Sequence, residues 1–105
     1  MNAATRQKIE DQLKSHKIIL YMKGNAQMPL CGFSARACAV LKQYNIPFET
    51  FNILEDEEIR QGLKEYSEWP TFPQLYVNGE LIGGCDIVIE MHESGELAKV
   101  LEKVK

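Results

Sequence analysis

Lys17-Ile18-Ile19-Leu20-Tyr21-Met22 is a run of β-forming residues, too short for a helix and closed by Gly24, and it reads as a buried strand. Gly24 to Leu30 follows as a loop, with Pro29 as a late constraint. From Gly32 to Tyr44 the apolar residues Phe33, Ala37, Val40, Leu41 and Tyr44 recur every three or four positions, which predicts a helix that Asn45 and Pro47 end. Phe48 to Ile53 sets Phe48, Thr50 and Asn52 against Glu49, Phe51 and Ile53, the alternation of a second strand. Upstream, Ile9 and Leu13 stand four apart among charges, so Ala3 to Ser15 reads as a short amphipathic helix. Downstream, Glu55 to Tyr66 opens with acids and ends with Lys64, the order that suits a helix dipole. Trp69-Pro70-Thr71-Phe72-Pro73 is an extended, proline-pinned segment. Gln74 to Val77 and Glu80 to Ile82 flank Asn78-Gly79, the strongest two-residue hairpin signal. Gly83-Gly84 leads into a last helical region, broken at Ser94-Gly95 and resuming from Glu96 to Val104. The order αβαβαββαα predicts an α/β domain with a four-stranded mixed sheet and helices on both faces.

At 105 residues, 45% of them hydrophobic, the chain is expected to form one domain, 1–105, around a core that needs no disulfides. Twelve basic against fifteen acidic residues leave a net charge of −3, which argues against a nucleic-acid binder working through bulk electrostatics. The longest strictly apolar runs, Ile18 to Met22 and Ala37 to Leu41, are far short of the ~20 residues of a membrane span. The first residues lack the apolar stretch of a secretory signal, and Glu10-Asp11 do not suit a transit peptide. A soluble, cytoplasmic protein is the expectation.

Cys31, Cys38 and Cys85 are an odd set that cannot all pair within one chain, so a reducing compartment is expected, with a cysteine kept for chemistry or metal. His16 and His92 make no zinc-type spacing with them. Cys31 stands where the loop hands over to the helix, facing unpaired N–H groups and the positive end of the dipole. That position favours the thiolate, which attacks disulfides and binds metals, and Lys23 can add positive charge. Cys38 lies two turns along the same helix, about 10 Å away. A Cys31–Cys38 disulfide would require melting the helix, and Cys38 is expected to be an inert core residue among Ala37, Ala39 and Val40. Cys85 opens another helix after two glycines; its side chain can be exposed or buried, and its N–H is the more useful group.

Three strings occur in order. Cys31-Gly32-Phe33-Ser34 stands at a helix start, seven loop residues after Lys23; Trp69-Pro70-Thr71-Phe72-Pro73-Gln74 precedes a hairpin, and Gly83-Gly84-Cys85-Asp86 follows it. Together they resemble the monothiol glutaredoxins of the Cys-Gly-Phe-Ser type, in the short single-domain class, and the resemblance covers nearly the whole chain. It implies a thioredoxin-like fold. Dithiol members carry a second cysteine where this chain has Ser34, so a neighbouring thiol cannot resolve a mixed disulfide unless Cys85 or glutathione substitutes.

The resemblance also implies a glutathione groove. Lys23 and Arg60 would hold the glycyl carboxylate; without the resemblance, Arg60 reads as part of a solvated helix face. Thr71 and Phe72 would line the groove, Phe72 offering its main-chain N–H and C=O to the tripeptide as to an added strand, with Pro73 cis. On their own, Pro70 and Pro73 read as helix stops. The N–H groups of Cys85 and Asp86 would receive the γ-glutamyl carboxylate, and Asp86 would cap the helix, meet the ligand's ammonium group, or both.

Two functions of different class follow. One is a carrier, in which two chains, each giving Cys31 and one glutathione, supply four sulfur ligands to a [2Fe–2S] cluster. That protein is a homodimer when loaded and a monomer when stripped. Its partners, by resemblance, are BolA-type proteins and recipient apo iron–sulfur proteins. The other is a glutathione-dependent oxidoreductase with Cys31 as nucleophile. Ser34 and the long loop favour the carrier.

Overall fold

The computed structural model describes residues 1–104. Helix α1 spans Ala3–Ser15, and Asn2 caps it by accepting the Thr5 N–H at 2.8 Å. Strand β1, Ile18–Met22, is buried throughout. Strand β2 is Glu49–Asn52, β3 is Gln74–Val77 and β4 is Glu80–Gly83, in the sheet order β2-β1-β3-β4. β1 pairs parallel with β2 and antiparallel with β3, and β3 pairs antiparallel with β4. The mixed sheet expected from the element order is therefore present. Asn78 and Gly79, with φ of 56° and 83°, make the turn between β3 and β4, and both values suit the type I′ geometry that matches strand twist.

The remaining helices are α2 (Gly32–Lys42), α3 (Glu57–Ser67), α4 (Cys85–Ser94) and α5 (Glu96–Glu102). Helix α2 stops two residues short of Tyr44 because the chain turns there into Asn45, whose φ is 56°. A single 3-10 turn, Ile53–Glu55, occupies the junction read as the end of a strand and the start of a helix. The Asn52 side chain holds it by accepting the Leu54 N–H, and Asp56 then caps α3 by accepting the Ile59 N–H.

Strand period sends β1 side chains alternately to two cores. Ile18, Leu20 and Met22 pack with Ala37, Leu41, Val88, Leu97 and Leu101, so α2, α4 and α5 cover one face. Ile19 and Tyr21 pack with Ile9, Leu13, Ile59 and Leu63, so α1 and α3 cover the other. No helix among the described residues is long and apolar enough to cross a membrane. With this arrangement the loop after β1 and the N-termini of α2 and α4 come to one end of the sheet, beside the segment entering β3.

Candidate thiol site and cleft

Cys31 is the N-cap of α2, in extended conformation and part-exposed. Burial pushes its thiol up, but the main-chain N–H groups of Ser34 and Phe33, the Ser34 hydroxyl and the Lys23 charge together carry it below the ordinary thiol range. The sulfur forms no well-aligned capping hydrogen bond, so these N–H groups act on it chiefly as dipoles at the start of the helix. Ser34 is fully buried, and its Oγ accepts the Lys23 N–H at 3.0 Å, which leaves the hydroxyl proton free for the Cys31 sulfur. The residue that replaces a second thiol is thus a fixed strut between β1 and the helix.

The other two cysteines behave differently. Cys38 is buried in the α2 face of the core, as expected of an inert residue, and burial raises its thiol against the lowering effect of Lys42. The orientation left open for Cys85 is settled: its side chain is buried. Burial and the neighbouring Asp86 charge raise the Cys85 thiol, Arg36 lowers it, and Cys31 raises it further, so the two sulfurs lie within electrostatic reach. All three cysteines are free.

Beside Cys31 runs a cleft of ≈ 570 Å³. Its walls include Lys23 and Phe33 from either side of Cys31, Arg60 and Lys64 from α3, the segment Trp69 to Pro73, and Gly84 to Ile87 at the start of α4. Every residue expected to form a groove (Lys23, Arg60, Thr71, Phe72, Pro73, Cys85 and Asp86) therefore lines one cleft; Cys31 flanks it. Another depression of ≈ 620 Å³ at the far end of β1 and β2 holds His16 and Glu49 but no cysteine, so the chemistry points to the cleft beside Cys31.

Arg60 is a cleft residue and not part of a solvated helix face. Its Nε is buried without a hydrogen-bond partner, and one terminal nitrogen lies 3.4 Å from Glu57, so the guanidinium keeps unused donors. The Phe72–Pro73 bond is cis. Gln74, fully buried, fixes this segment: its amide nitrogen donates to the carbonyls of Trp69 at 3.0 Å and Thr71 at 3.2 Å, while its oxygen accepts the Tyr76 hydroxyl proton at 3.0 Å. Gly84 packs under the segment, where an added Cβ would meet the Pro73 carbonyl at 3.3 Å and Trp69 Nε1 at 3.4 Å.

One role is corrected. Asp86 does not cap α4, because Gly84 occupies the cap position and Asp86 lies inside the first turn. A carboxylate there favours the dipole. Sequence reasoning also missed the struts. A polar Gln74 in an otherwise apolar strand was the available signal for one; Ser34 gave none, because its value lies in a contact with β1.

Fold and site together define a single-thiol protein of the thioredoxin-like class. Residues 18–82 match the family model for glutaredoxin. A Synechocystis sp. protein named as an uncharacterized monothiol glutaredoxin is 51% identical over 97% of this chain and 95% of its own length. The chloroplastic monothiol glutaredoxin-S14 of Arabidopsis thaliana is 55% identical over 90% of this chain, which spans only 55% of that relative. The solution structure of reduced poplar apo GrxS14 superposes with a TM-score of 0.83 at 54% identity, over 93% of this chain and 90% of that one. The chain belongs to the glutaredoxin family, among its monothiol members.

Proposed function

We propose that this chain binds glutathione in the cleft beside Cys31 and, as a pair of copies, carries a [2Fe–2S] cluster for delivery to recipient apoproteins. The observation that carries this reading is the contrast among the thiols. Cys31 alone is part-exposed and lowered in pKa, while Cys38 and Cys85 are buried and raised. Ser34 is locked where a resolving thiol would stand. One accessible thiolate per chain is too few for the four sulfur ligands of such a cluster, so a second copy and a thiol ligand complete the set. A cargo held by so few protein bonds can be handed on.

The cleft fits glutathione by its donors. Lys23 and Arg60, with its orphaned Nε, both line the cleft and suit the glycyl carboxylate. The Cys85 and Asp86 N–H groups, behind Gly84, suit the γ-glutamyl carboxylate. The main chain of Phe72, ahead of the cis bond, suits the tripeptide backbone, with Thr71 and Pro73 beside it. In this reading the 105 residues act as one domain in the cytoplasm, monomeric when stripped and dimeric when loaded. BolA-type proteins are alternative partners.

Substituting Cys31→Ser tests it. A serine hydroxyl stays protonated and is a poor ligand for an iron–sulfur core, whereas serine is a good N-cap, so the fold should persist. Reconstitution with iron, sulfide and glutathione should colour the native protein, and neither the variant nor a glutathione-free sample. A fully loaded variant, or loading without any added thiol, would overturn the shared-ligand reading. A colourless native protein that releases glutathione from mixed disulfides would mark an oxidoreductase instead.

A further inference from the structure

Two buried polar side chains stand behind the cleft without lining it. Tyr76 belongs to the α1–α3 core, and strand period turns Gln74, two residues earlier on β3, to the same side of the sheet. Gln74 is 0% and Tyr76 2% exposed, a setting in which a polar group without a partner is costly. Each has one. The Tyr76 hydroxyl, pushed up to about 12 chiefly by burial, keeps its proton at neutral pH and donates it to Gln74 Oε1.

That bond fixes which way the amide faces. The Trp69 and Thr71 carbonyls can only accept, so they demand the nitrogen side of Gln74, and the oxygen is left to Tyr76. Tyr76 is in turn held edge-on by the Tyr21 ring at 5.6 Å, and the Tyr21 hydroxyl donates to Gln12 of α1 at 2.8 Å. Ser67, at the end of α3, ties the start of the same segment. Its Oγ accepts the Trp69 N–H at 3.1 Å and donates to the Leu63 carbonyl at 2.7 Å. Three main-chain groups of the segment Trp69 to Pro73 are thus held from behind by side chains, while the segment walls the cleft in front. A ligand that pairs with main chain binds better when that main chain is already in place.

We infer that Tyr76 is a positioning residue for glutathione: its hydroxyl orients the Gln74 amide, and that amide sets the segment that presents the Phe72 main chain to the tripeptide. The inference rests on the glutathione reading of the cleft and adds the buried residues that hold its backbone wall in shape. Without the hydroxyl, Gln74 Oε1 is an orphaned acceptor in a dry core, and the amide gains by turning away from the two carbonyls it holds. The segment then loses its support although no residue lining the cleft has changed.

The test uses the full chain with Tyr76→Phe, which deletes one oxygen and keeps the ring against Tyr21. Calorimetric titration with reduced glutathione should show affinity weakened about three- to tenfold. The alkylation rate of Cys31 should match the native protein, since that thiol rests on α2 across the sheet. Nuclear magnetic resonance without glutathione should find the Gln74 side-chain amide protons slow to exchange in the native protein and fast in the variant. Gln74→Met should weaken binding at least as much, and adding Tyr76→Phe to it should change affinity by less than about twofold, because the tyrosine acts through the amide. Native affinity in Tyr76→Phe, with or without a loss of stability in urea, reduces Tyr76 to a structural residue and overturns the inference while glutathione binding stands. A full further loss in the Gln74→Met background overturns it as well. If Gln74→Met does not fold, the affinity of Tyr76→Phe and the exchange of the Gln74 amide still decide. A native protein that does not bind glutathione overturns the reading of the cleft and this inference with it.

Discussion

Cys31, Cys38 and Cys85 share a chemistry and differ in what faces the sulfur. Around Cys38 the surroundings are apolar apart from Lys42, and beside Cys85 stands the Asp86 carboxylate; both thiols stay protonated. At Cys31 the opposing burial is overcome by N–H dipoles, a hydroxyl and a lysine charge. Lowering a thiol's pKa extends its thiolate to lower pH, so native Cys31 should react with iodoacetamide at a half-maximal pH below that of an ordinary thiol. Lys23→Gln removes one of the lowering influences, and the midpoint should move up toward the ordinary value, slowing reaction at pH 7 by about two- to threefold. Added salt should narrow the gap between the two proteins, since this contribution is a charge at the surface. Mass spectrometry of the labelled native protein should find Cys38 and Cys85 unmodified. An unchanged midpoint in Lys23→Gln would assign the lowered pKa to the helix dipoles and Ser34 alone.

At the scale of the element, α3 shows how a helix end is fixed twice over. Asp56 accepts the Ile59 N–H at 3.1 Å and pairs with Lys8 of α1 at 2.6 Å. The Lys8 hydrogen bond, then the Ile59 N–H, hold its carboxyl below the usual carboxylate range. A depressed folded-state pKa contributes stability above the unfolded value, near ~3.9, and that contribution fades as pH falls through the folded value. Asp56→Ala should cost about 1 kcal/mol at pH 7 in urea unfolding, with the gap to the native protein closing in acid. Asp56→Asn keeps the cap and loses only the exposed ion pair, so it should cost about 0.5 kcal/mol or less.

Much at this scale was readable in the sequence because it is local. The α1 periodicity, the Asn78-Gly79 turn and the break at Gly95, where φ is 87°, act within a few residues. The 3-10 turn was not readable, because the Asn52 side chain that holds it is itself positioned by Gly24, 28 residues away. Asp86 looked like a cap by residue type, but the extended backbone of Gly84 claims that position. For Arg60, helix periodicity gave a solvated face, and only the docking of the segment Trp69 to Pro73 beside it turned that face into a wall. The site was visible as a set of motifs; the buried struts that fix it, Ser34 and Gln74, were visible only once distant elements met.

The whole molecule is two cores separated by a single sheet, and the proposed site draws on both. Cys31 and Cys85 begin the helices of one face, while Arg60 rides on α3 of the other. The sheet stands between the two cores and they share no side chains, so damage on one side should not propagate to the other. Ile59→Val thins the α1–α3 core and should cost about 1 kcal/mol, and Val88→Ala thins the α2–α4 core at about 2 kcal/mol. Their sum should hold in the double variant to within about 0.5 kcal/mol. Contact within one face behaves differently. A methyl added at Gly62 would meet Thr5 Cγ2 at 2.9 Å and Ile9 Cδ1 at 3.1 Å, so Gly62→Ala overpacks the α1–α3 contact. Ile9→Val removes that Cδ1, and combining the two should cost less than the sum by about 0.5 kcal/mol or more. Urea unfolding followed by Trp69 fluorescence and far-UV circular dichroism should give coincident transitions in every variant, which makes the free energies comparable. Coupling above about 1 kcal/mol between Ile59 and Val88 would show that the sheet transmits strain between its faces. Independence has a functional consequence that the same proteins can reveal: Ile59→Val should leave the alkylation rate of Cys31 unchanged, because the helix presenting that thiol rests wholly on the other core.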